Sequence, residues 1–129
     1  MGVCFLVTCS PQEAILEKLL SEILPKNFTG TLLVLSEAEC VGCSLDKNAL
    51  KIQNELQRSK NWQGLVFVLS KRGFSERILK EKLPQISNWQ TTTNVEIMVE
   101  LAKITDKKSG PYLVEYHQGK INKIVSLSE

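Results

Sequence analysis

A chain of 129 residues with 43% hydrophobic and 23% charged residues has the size of one globular domain and can bury a core without disulfide or metal staples. Its formal charge of +2 is carried without a cationic stripe. Lys71-Arg72 and Lys107-Lys108 are isolated pairs that read as solvated loop charges, so nucleic acid is excluded as an expected partner. No apolar run reaches the ~18 to 20 residues of a transmembrane helix, and no transmembrane segment is expected.

Residues 1–10, Met1-Gly2-Val3-Cys4-Phe5-Leu6-Val7-Thr8-Cys9-Ser10, are apolar and lack a basic flank. They read as a strand or as the remnant of an export signal. Leu6-Val7-Thr8-Cys9 is similar to the lipobox of bacterial lipoproteins, although Thr8 stands where Gly, Ala or Ser is usual. That similarity implies a lipid on Cys9, and it ranks a periplasmic or lipid-anchored location ahead of a cytoplasmic one.

Ser10-Pro11-Gln12-Glu13 opens a helix, with Ser10 as cap, Pro11 at the first helical position and Glu13 closing a capping box. Ile15, Leu16, Leu19, Leu20 and Ile23 then recur at helical spacing up to Pro25. Thr31 to Leu35 is a continuous apolar run after Gly30, as expected of a strand buried on both faces. It leads into Cys40-Val41-Gly42-Cys43. Leu45, Ala49, Ile52 and Leu56 follow on one helical face ending near Arg58, and Gly64 to Leu69 forms a second buried strand. A strand, helix and strand in that order predict a right-handed crossover between parallel strands.

Phe74, Ile78, Leu79 and Leu83 suggest a third helix stopped before Pro84, and Trp89 to Thr93 a short strand. Asn94 to Thr105 fits either period. The capping box Thr93-Asn94-Val95-Glu96 favours a helix. Pro111 to Tyr116 and Lys120 to Val125 flank His117-Gln118-Gly119, a predicted hairpin in which Gly119 supplies a positive φ. With no repeats and no linker, residues 1–129 are read as one domain. Trp62 and Trp89 are assigned to the core or its rim, and His117, the sole histidine, to the surface.

The chemistry-bearing feature is the CxxC. A thiolate at the start of a helix is stabilised by unpaired N–H groups and the positive end of the helix dipole. A second cysteine one turn on can resolve a mixed disulfide. Cys40 is therefore the candidate attacking thiolate and Cys43 the resolving thiol. Glu39 and Glu37 would raise the thiol pKa if they face it, and otherwise are solvated loop acids. Four cysteines are too few for a disulfide scaffold. A zinc site would need Cys4 and Cys9 as further ligands, at a spacing at the long end of the usual range.

The strand Leu32 to Leu35, the Cys40–Cys43 motif, the helix and strand after it, and Gly110-Pro111 at the hairpin entry together resemble the thioredoxin superfamily. The spacing between Leu65 and Pro111 is similar to exported thioredoxin-like proteins of the cytochrome-maturation type. The resemblance covers residues 31–126. It implies an α/β thioredoxin fold with a central mixed sheet flanked by helices, and thiol–disulfide oxidoreduction on protein or small-molecule disulfides. Pro111 would be the cis-proline beside the CxxC. Val41, Gly42, Gly110 and Pro111 would shape the substrate groove, with the Gly110 backbone pairing with an extended substrate. The glycines admit a close-approaching backbone, although Gly110 could equally be a plain turn residue. No cofactor or metal is implied, and a redox partner protein would recharge the cysteines.

Three departures stand out. Glu39 and Val41-Gly42 replace the Trp and the Gly-Pro of thioredoxin, Val34 falls where its buried Asp sits, and the helix expected after the hairpin has no counterpart before Glu129. Whether the enzyme reduces, oxidises or isomerises is left open. A peroxidase reading is poor, since neither Pro nor Thr stands between Leu32 and Cys40. The rival reading is a non-catalytic thioredoxin-fold binding module whose CxxC is a static disulfide or a metal site.

Overall fold

The computed structural model describes residues 11–36, 49–58, 61–68, 76–108 and 110–127. In chain order these form α1 (Pro11–Ser21), β1 (Gly30–Ser36), α2 (Ala49–Leu56), β2 (Trp62–Phe67), α3 (Glu76–Lys82), β3 (Trp89–Thr92), α4 (Val95–Thr105), β4 (Tyr112–His117) and β5 (Lys120–Ser126). The strands make one mixed sheet in the order β3-β2-β1-β4-β5. β1 pairs parallel to β2, with Thr31 opposite Trp62 and Ser36 opposite Phe67, and β2 pairs parallel to β3. On its other side β1 pairs antiparallel to β4, with Val34 opposite Tyr112 and Gly30 opposite Tyr116.

Strand periodicity sends alternate residues to opposite faces, and in β1 both faces are apolar. Leu33 and Leu35 join Ile52 and Leu56 of α2, Leu79 of α3, and Leu83, Ile86, Trp62 and Trp89 in one layer. Leu32 and Val34 join Leu16 and Leu20 of α1, Ile97 and Leu101 of α4, and Tyr112 in the other. The result is a helix–sheet–helix sandwich built on a continuous apolar strand. Both tryptophans are buried, and the Trp89 indole N–H donates to Ile86 O at 3.0 Å.

The ambiguous segment after β3 is a helix, α4, but its cap differs from expectation. Asn94, not Thr93, is the N-cap. Its side chain accepts from the Glu96 N–H at 3.0 Å, while its own N–H donates to Thr92 Oγ1. Asn94 is the better cap because Thr92 and its neighbours are still held in the β3 ladder. Strand β2 starts two residues before the expected Gly64, since pairing with β1 begins at Trp62. The hairpin closes on Gln118 and Gly119, both at positive φ (51° and 81°), as a two-residue turn that keeps His117 within β4.

Tyr112 and Tyr116 share the inner face of β4 but are paired differently. The Tyr112 hydroxyl donates to Lys107 O at 2.8 Å, whereas the buried Tyr116 hydroxyl has no hydrogen-bond partner. Burial, reinforced by the Glu17 carboxylate, pushes Tyr116 ionisation well above the ordinary value near 10. Tyr112→Phe should therefore cost about 1 kcal/mol, whereas Tyr116→Phe leaves stability at neutral pH unchanged or higher. Unfolded Tyr116 ionises near its ordinary value while the folded side chain keeps its proton. This group's contribution is thus intact below about pH 10 and is lost as pH rises above it. Urea melts should show Tyr116→Phe flattening the alkaline decline, and a steeper decline in that variant would contradict the assignment.

Candidate functional site

The carboxyl ends of β1, β2 and β3 and the start of β4 meet at one pole of the sheet, as the pairing of Ser36 with Phe67, Phe67 with Thr92 and Val34 with Tyr112 requires. The outer ends of parallel strands are where open α/β sheets form ligand crevices, at the point where the strand order reverses. That point is β1, with parallel β2 on one side and antiparallel β4 on the other.

Of the residues expected to form the site, Gly110 and Pro111 lie at this pole, immediately before β4. Both are buried, and the peptide bond between them is cis. The Pro111 carbonyl accepts from the Leu127 N–H at 2.7 Å, which ties the end of β5 to the entry of β4. At Gly110 a Cβ would stand 2.8 Å from Tyr112 N and 2.9 Å from the Tyr112 ring. The packing of Tyr112 alone is therefore reason enough for a glycine. Glu37, Glu39, Cys40, Val41, Gly42 and Cys43 fall outside the described residues, as do Cys4 and Cys9. Val34, where the resemblance would put a buried acid, is fully buried in the apolar layer with Leu65 and Tyr112, so no titratable group stands there.

His117 is exposed beside the turn, as the sequence suggests. Among the described residues no group of His, Cys, Asp and Glu side chains could hold a metal ion, and no helix is long and apolar enough to cross a membrane.

A cavity of about 580 Å³ lies at the opposite pole, between the end of α1 and the hairpin turn, lined among others by Glu17, Leu24, Phe28, Tyr116 and Lys120. Its acid is engaged by the fold. Glu17 Oε2 accepts from the Ile121 N–H at 2.9 Å and Oε1 lies 3.8 Å from Lys120 Nζ, so the carboxylate anchors the hairpin to α1. Sequence reading passed over Glu17. The available signal was an acid set between Leu16 and Leu20, residues that periodicity already assigned to the core-facing stripe.

Comparison of the chain with protein-family models, with curated proteins and with solved structures finds no match. The class established by the structure is a mixed α/β domain, a five-stranded mixed sheet flanked by helices.

Gly110→Ala tests the packing at the candidate pole. A Cβ there forces Tyr112 or its backbone to move, and overpacking of this kind costs about 1 to 3 kcal/mol. Urea denaturation should show that loss, and an unchanged midpoint would mean that the entry to β4 relaxes freely.

Proposed function

We propose that the protein is a thioredoxin-fold thiol–disulfide oxidoreductase, with Cys40 as attacking thiolate and Cys43 as resolving thiol. The observation that carries the reading is the strand arrangement around β1. A parallel strand after a crossover helix lies on one side and an antiparallel hairpin entered through Gly110-Pro111 on the other, the arrangement implied by the resemblance. Cys40 follows Ser36, the last residue of β1, by four positions. Four residues reach at most about 14 Å, a tether short enough to support a site at the pole where Pro111 enters β4.

In this mechanism the Cys40 thiolate attacks one sulfur of a substrate disulfide, forming a mixed disulfide and releasing the other substrate sulfur as a thiolate that takes up a proton. Cys43, deprotonated, then attacks Cys40 Sγ. The substrate leaves fully reduced and the enzyme holds a Cys40–Cys43 disulfide. The two electrons come from the cysteine pair, and a partner dithiol restores it. With Val34 in place of a buried acid, the Cys43 proton has no carboxylate at that position to accept it. Its removal falls to solvent or to the departing thiolate.

Cys43→Ser should accumulate a stable mixed disulfide on Cys40 when treated with oxidised glutathione, read by intact mass. Cys40→Ser should accumulate almost none. Equal trapping by both variants, or trapping by neither, would overturn the assignment and favour a binding module. Equilibration of the parent protein across a glutathione series, followed by thiol alkylation, supplies the independent check that the pair cycles.

A further inference from the structure

Helix α4 is apolar on both sides. With 100° between successive residues, Ile97, Leu101 and Ile104 face the sheet, where the first two are buried. Val95, Val99 and Ala102 fall within about 60° of one another on the outward arc, and Val95 and Val99 are 57% and 42% exposed. Single exposed aliphatics are unremarkable, but here Val95, Val99 and Ala102 share one outward arc of a helix whose opposite side is already buried. The neighbouring helix α1, which packs against α4 on the same face of the sheet, adds Ile15 at 46% exposure.

The polar residues flanking the outward arc point to what covers it. Glu96 and Lys103 are seven residues apart, so they lie on the same flank of α4 about 10.5 Å apart along its axis. Two α4 helices docked antiparallel about a two-fold axis near residues 99 and 100 bring Glu96 of each copy beside Lys103 of the other, while Val95, Val99 and Ala102 meet in the middle. A two-fold interface must be self-complementary, and an acid and a base placed symmetrically about an apolar centre satisfy that condition. A lipid surface would instead favour a cationic flank. Within one chain Lys103 Nζ stands 3.7 Å from Glu100 Oε2 and is 60% exposed, which leaves it within reach of a second carboxylate.

We infer that the outward face of α4, extended by Ile15 of α1, binds a second copy of this chain. Eleven helical residues give a face about 16 Å long, and two adjacent helices a footprint of roughly 300 to 400 Å² per copy. That is about half of what a standard stable interface buries on each side. The dimer therefore forms and dissociates with concentration.

Sedimentation equilibrium between about 10 μM and about 1 mM, the range suited to so small an interface, should show the average mass rising from 14.5 kDa toward twice that value. Val99→Asp, at an exposed position, should weaken association by about tenfold or more. Glu96→Lys and Lys103→Glu should each weaken it, and the double exchange should recover most of the loss, with helical content unchanged by circular dichroism in every variant. A protein that stays monomeric throughout, a Val99→Asp variant that associates as the parent does, or a double exchange no better than its single members would overturn the inference. Flotation of the monomer with anionic phosphatidylglycerol vesicles, abolished by Val99→Asp, would do the same and assign the face to lipid.

Discussion

The burial of β1 on both faces is the constraint on which the molecule depends. Leu32, Leu33, Val34 and Leu35 are each at most 1% exposed, and together they supply the floor of both helical layers. At roughly 25 cal/mol per Å² of apolar surface removed from water, such a strand outweighs any single contact in the domain. Neither layer can be repacked without moving the other, because adjacent residues of one strand belong to different layers. β1 also sets the polarity of the sheet. Its parallel partner follows a crossover and its antiparallel partner arrives from a hairpin, so the carboxyl ends of three strands and the entrance to a fourth converge at one pole.

Much of this was legible in the residues. The unbroken apolar run Leu32 to Leu35 marks a strand with no solvent face, and the Pro111 to Val125 segment announces a hairpin through Gly119. Periodicity placed α1, α2, α3 and β3 close to where they lie. It faltered where two periods coexist. Val95, Ile97, Val99 and Leu101 alternate like a strand, and α4 shows why, since Ile97 and Leu101 face the sheet while Val95 and Val99 face outward. The Asn94 cap was hidden by an equally plausible Thr93, because the choice turns on where β3 stops pairing. The role of Glu17 was not legible either. Its partner, the Ile121 N–H, lies 104 residues away, and no local pattern reports a contact of that separation.

The candidate pole divides along the same line. Pro111 was singled out by its place at the hairpin entry, and it stands immediately before β4. Gly110 carries a constraint that only packing reveals, since the ring of the residue two positions on occupies the space where its side chain would be. The opposite pole is held by tethers of a different kind: Glu17 to the Ile121 N–H, Phe28 O to the Gly119 N–H at 2.8 Å, and Thr29 Oγ1 to the Gln118 N–H at 2.8 Å. These side-chain and main-chain hydrogen bonds lock the hairpin tip to the α1–β1 connection. The turn is thus held by hydrogen bonds to residues far away in sequence as well as by its own ladder.

The antiparallel pairing of β1 with β4 has a consequence for how the chain is made. Val34 and its partner Tyr112 are separated by most of the domain's length, and such distant pairing closes late because a large loop must be ordered first. During synthesis α1, β1, β2 and β3 leave the ribosome well before β4 does. Throughout that interval the strand that ends up at the centre of the sheet is an edge, with the ladder groups that will meet β4 still open. An unpaired edge of this kind is a template for pairing with another unfinished copy. Arrival of the last hairpin is what closes that edge.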